Sequence, residues 1–148
     1  MMFRWCICLL IGIAMSGMFC AEASAQDYKL SLKAKRYLLT IDKVEKSTPE
    51  AEGLSQQQYD QWLGTLYFLL STELYENDYL EVAQDGYAHA MSYFVKAGDA
   101  GMQIMVSRAI GDIAYYLKKY DQAQDAWENA YALASQNDDD DSMAEVLL

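Results

Sequence analysis

The sequence predicts an all-α protein, a short solenoid of stacked antiparallel helix pairs. Glycine and proline are scarce, Pro49 being the one proline, and no alternating β-branched run of strand length occurs. Apolar residues recur instead at three- and four-residue steps, as in Ile104, Met105, Ala109, Ile110, Ile113, Ala114 and Leu117. An eight-residue pattern also returns forty residues later, the mark of a stacked helical unit.

The N-terminus is set apart from the fold. Arg4 opens a short basic start, Trp5 to Phe19 form an apolar run, and Ala23-Ser24-Ala25 has the A-x-A spacing that signal peptidase reads. Gly12, Ser16 and Gly17 interrupt the run, which is short for a membrane span. Residues 1–25 are therefore expected to be a cleaved signal peptide, with an uncleaved anchor as the alternative. The mature chain from Gln26 is expected outside the cytoplasm, periplasmic or extracellular. Cys6, Cys8 and Cys20 all precede the cut, so the mature chain has no cysteine for a disulfide or a thiolate metal site.

Helices are predicted over 28–46, 56–76, 79–97, 101–118, 121–136 and 142–148. Residues 26–55 form an N-terminal helix and linker, and 56–148 form helix pairs whose last unit is incomplete. Thr48-Pro49 reads as an N-cap followed by proline at the first helical position. Asp78 with Glu81, Asp121 with Gln124, and Ser142 with Glu145 have capping-box spacing.

The repeat is explicit. Ala83-Gln84-Asp85-Gly86-Tyr87-Ala88-His89-Ala90 returns as Ala123-Gln124-Asp125-Ala126-Trp127-Glu128-Asn129-Ala130. Each unit is a helix pair that must bury its apolar face on a neighbour. Residues 104–137 resemble one tetratricopeptide unit. Ile110-Gly111 stands at the family's Leu-Gly pair, Tyr120-Asp121 at its turn, and Ala123, Trp127 and Ala130 at its small, aromatic and small positions. Ala83, Tyr87 and Ala90 match the same positions one unit earlier. Leu63-Gly64-Thr65-Leu66-Tyr67 matches L-G-x-x-Y locally but out of register. The family's tyrosine falls on Ala114, its tryptophan on Ser107 and its closing proline on Ser135, and the period exceeds the usual ~34 residues. On this resemblance Gly111 and Ala123 let two helices approach, and Trp127 fills the space against the next pair. If the chain continues past Leu148, its architecture is similar to the exported sensory part of bacterial membrane sensor kinases.

The formal net charge of −11 argues against nucleic acid and anionic lipid as partners, since both select clustered Lys and Arg. No nucleophile elbow, phosphate loop or dinucleotide glycine pattern is present. His89 is the single histidine and no cysteine or second histidine accompanies it, so no metal site and no cofactor are expected. The Asp138 to Asp141 run lacks EF-hand spacing and reads as a solvated loop. Glu73 with Glu76, and Asp121 with Asp125, share helix faces; an exported hydrolase using paired carboxylates is the competing reading. The expected function is non-catalytic binding of a protein or peptide, with no membrane insertion once the signal is removed. In the family, outward positions of the first helix of a unit line a concave groove. Carried over position by position, the resemblance implies Met105, Arg108, Asp112, Tyr115 and Tyr116.

Overall fold

The structure, a computed structural model, describes residues 29–137. The signal segment and the helix expected over 142–148, with its Ser142 cap, lie outside the described residues. Five helices and no strand occur among them: α1 (Leu32–Glu45), α2 (Gln56–Glu76), α3 (Leu80–Ala97), α4 (Ala100–Tyr116) and α5 (Tyr120–Gln136). Each packs against its neighbour in sequence, and short connections make neighbours antiparallel.

The pairs α2–α3 and α4–α5 obey the forty-residue period in detail. Asp78 and Lys118, at equivalent places in the two tight turns, both take left-handed backbone, with φ of 62° and 61°. The next amide then returns to the preceding helix, Tyr79 N to Leu74 O at 3.0 Å and Lys119 N to Ala114 O at 2.8 Å. Between the helices of each pair, Thr72 meets the Tyr87 hydroxyl at 2.9 Å, and the Trp127 indole donates to Asp112 at 3.1 Å. One turn away His89 stacks on Tyr67, and Asn129 donates to Ser107 at 3.0 Å. All three relationships are the same contact in successive units.

Two expected caps are not used. Helices α3 and α5 begin at Leu80 and Tyr120 after Tyr79 and Lys119, neither of which caps with its side chain. The left-handed turn residue reverses the chain so sharply that Asp78 lies before the cap and Asp121 inside the helix. Thr48 does accept from Ala51 N, at 3.3 Å, but it caps a single turn. The helix proper starts after Ser55, which forms a full capping box with Gln58.

Helix α1 lies along α2 and buries Ala34, Ile41 and Val44. One end is held by Glu73, which accepts from Ser31 Oγ at 2.7 Å and pairs with Lys33 at 2.8 Å. The other end is held by the Tyr59 hydroxyl, which donates to the carbonyls of Val44 and Ser47. The Lys33 ammonium first, and the Ser31 hydroxyl second, hold the Glu73 carboxyl below the usual carboxylate range. The folded state thus binds this proton less readily than the unfolded chain. The stabilisation is present above the unfolded value of about 4.3 and fades as pH falls through the lower folded value. Glu73→Gln is expected to lower the thermal midpoint at neutral pH, with the gap to wild type closing as acid protonates Glu73. A gap of equal size at both ends of a pH series of melts would show that the charge of Glu73 is not what holds α1.

Candidate binding surface

Met105, Arg108, Asp112, Tyr115 and Tyr116 follow steps of three and four along α4, so they form one stripe. Met105, Tyr115 and Tyr116 are exposed, whereas Arg108 and Asp112 are half-buried. The stripe ends in an aromatic cluster. Tyr115 contacts Tyr120 at 5.6 Å between ring centroids, Trp127 at 5.9 Å and Tyr116 at 6.4 Å, and Tyr75 of α2 approaches Tyr116 at 6.3 Å. Burial first, and a hydrogen bond with Tyr116 second, raise the Tyr75 phenol above its usual pKa. The α2 and α4 faces are thereby joined, with three tyrosine rings more than half exposed. Tyr75 and Tyr120 were not among the sequence candidates, although Tyr75 stands forty residues before Tyr115.

The repeat positions pack as small residues should. Ala83, Ala90, Ala123, Ala130, Gly111 and Tyr87 are buried. The half-buried Trp127 ring lies on Gly111 of its own pair, and the next pair against which it is expected to pack lies outside the described residues. A Cβ on Gly111 would come to 2.4 Å from the indole. Glycine is what admits the ring. The Leu63-Gly64 pair serves another contact, since a Cβ on Gly64 would meet the Phe94 ring at 2.9 Å.

A concavity of about 540 Å³ opens beside the end of α1, lined by Asp42, Glu45, Lys46, Tyr59, Leu63 and Tyr93 among others. Its polar groups are mutually engaged. Lys46 pairs with Asp42 at 2.7 Å, and Glu45 accepts from Tyr67 at 2.6 Å and Tyr93 at 3.5 Å. Burial, with Glu45 close by, pushes the Tyr93 phenol up to about 12 and that of Tyr67 higher still. These phenols remain neutral donors at any physiological pH.

Glu76, Asp121 and Asp125 are exposed, and the Glu73 carboxyl is shifted down, away from the value a general acid needs. Asp60 is buried with Gln56 donating to it at 3.0 Å, but it lies more than three turns of α2 from Glu73. Among the described residues no three His, Cys, Asp or Glu side chains gather as a metal site, and no helix is long and apolar enough to cross a membrane.

The fold and surface define an all-α stack of helix pairs with an aromatic face on its first-helix side. Compared with family models, curated proteins and solved structures, the chain matches none.

Proposed function

We propose that the chain is a non-catalytic, protein- or peptide-binding module of tetratricopeptide type that acts outside the cytoplasm. The observation that carries this reading is the exposed cluster of Tyr115, Tyr116 and Tyr120 beside Trp127, on the face where the family holds peptides. Flat rings with hydroxyl edges give contact area at low entropic cost, and rigid aromatic residues are the usual anchors of recognition surfaces. Asp112 is fixed by the Trp127 indole, so it presents a positioned acceptor at the floor of the stripe. Arg108, one turn earlier, brings a guanidinium that suits a peptide carboxylate. The export signal at Ala23-Ser24-Ala25 supports the location.

A peptide-display selection on the purified protein tests the reading. Enriched peptides should lose at least about tenfold in affinity to the Tyr115→Ala/Tyr116→Ala protein, the scale of losing aromatic anchors. Ser135→Ala, at an exposed position near the end of α5, should leave affinity unchanged. Failure to enrich any peptide, or enriched peptides indifferent to both tyrosines, would count against this surface.

A further inference from the structure

The charge of the molecule is unevenly distributed. Of its 11 Lys and Arg, six (Lys29, Lys33, Lys35, Arg36, Lys43 and Lys46) fall in and beside α1. Lys33 and Lys46 are occupied by Glu73 and Asp42. Lys35, Arg36 and Lys43 are exposed, and at about 100° per residue they share the direction of Leu32 and Leu39. That direction is opposite to buried Ala34 and Ile41. The two leucines are 69% and 68% exposed, one full heptad apart, in the middle of the cations. Of the acids on α1, the charge of Asp42 is balanced by Lys46, and Glu45 points away from this face to accept from Tyr67 of α2, so neither neutralises it.

We propose that this face of α1 docks on an anionic phospholipid bilayer. Lys35, Arg36 and Lys43 meet the lipid phosphates, and Leu32 and Leu39 enter between the headgroups. Charge complementarity selects an anionic partner, and the leucines select among anionic partners. A basic helix face with apolar residues at its centre fits the headgroup boundary. A nucleic-acid backbone offers no apolar layer for leucines. The acidic outer face of a second copy, with Asp121, Asp125 and Glu128 exposed on α5, is the competing anionic partner, and the self-association arm of the test separates it. The other acids of the protein do not prevent this contact, because repulsion from charges beyond about 10 Å is largely screened at physiological salt. The inference is independent of the peptide surface, which lies on α2, α4 and α5.

The test is co-sedimentation of the full chain with vesicles of mixed phosphatidylcholine and phosphatidylglycerol, against phosphatidylcholine alone. Wild type and variants all keep Arg4 and the Trp5–Phe19 run, so a difference between them reports the α1 face alone. The wild type should prefer the anionic vesicles, and added salt should weaken that preference. Lys35→Glu/Arg36→Glu/Lys43→Glu should remove it, a loss of roughly 100-fold for three cations near the surface. Leu32→Ser/Leu39→Ser should weaken anionic binding several-fold while leaving its salt dependence. All five side chains point to solvent, and circular dichroism will verify the fold. Single Arg36→Gln and Lys43→Gln variants, each lowering affinity by a fraction of the triple effect, provide the same reading with a smaller perturbation. The proposal is overturned if the triple variant keeps the preference or if the leucine variant binds like wild type. It is also overturned if vesicles capture nothing while the same substitutions abolish a salt-sensitive self-association.

Discussion

Phe94→Ala will lower the unfolding free energy by about 3–5 kcal/mol, the range for truncating a buried phenylalanine. The upper part of that range is expected here, because the residue that would have to fill the gap is a glycine. The Phe94 ring is 0% exposed and rests on the bare backbone of Gly64. The Phe94 carbonyl also accepts from Asp99 N at 3.0 Å and from the Gln103 side chain at 3.2 Å, so the residue sits where α2, α3 and α4 meet. A cavity at this joint loosens both helix interfaces together. Against a typical total of 5–15 kcal/mol for a domain of this size, such a loss is severe. Urea unfolding followed by far-ultraviolet circular dichroism measures it, and a loss below about 1 kcal/mol would mean that α2 and α3 close the gap.

The repeat supplies a rescue for that variant. Forty residues after Gly64 and Phe94 stand Ile104 and Ala134, both buried in one cluster. The same contact thus holds a large residue on the second helix in one unit and on the first helix in the other. Phe94→Ala with Gly64→Ile copies the later arrangement into the earlier pair. It should recover a substantial part of the loss, because cores tolerate volume-conserving exchange better than net deletion.

Helix positions were legible in the sequence because they follow from periodic burial, which many residues report at once. The five expected spans that fall on described residues lie within four residues of the observed ones at each end. Caps were less legible because one dihedral decides them. Nothing about a lysine signals φ of 61° at Lys118, yet that angle, shared with Asp78, starts both second helices without a side-chain cap. The capping box of Ser55 and Gln58 stands in the sequence as S-x-x-Q, directly at the start of the helix expected from residue 56.

The candidate surface was half legible. The five positions of α4 came from resemblance alone, and the structure brings Tyr115 and Tyr116 into one cluster with Tyr75, Tyr120 and Trp127. Joining α2 to α4 needed the spatial register of two units, which a one-dimensional pattern does not hold. The basic face of α1 was concealed differently. A net charge of −11 describes the whole molecule, while six cations gathered on eighteen residues set the field at one end of it.

Gly86→Ala is the second substitution expected to do large damage, although it adds a single methyl group. That methyl would stand 2.2 Å from Ser71 Oγ and 3.4 Å from Ser71 Cβ. Ser71 is fully buried and its hydroxyl donates to the Tyr67 carbonyl at 2.8 Å, so the side chain has little room to turn aside. Overpacking of this kind costs about 1–3 kcal/mol. Alanine's better helix propensity offsets up to roughly 1 kcal/mol. The equivalents of Ser71 and Gly86 in the next unit are Gly111 and Ala126, so nature has already made the exchange there. Ser71→Gly/Gly86→Ala should therefore be more stable than Gly86→Ala alone. The favourable coupling should be about 1 kcal/mol or more, well outside the additivity expected of independent sites. Chemical unfolding of the two single variants, the double variant and the wild type completes the cycle. Additive losses would show that the close approach at Ser71 is relieved by backbone movement, and that the two units share a period without sharing a packing rule.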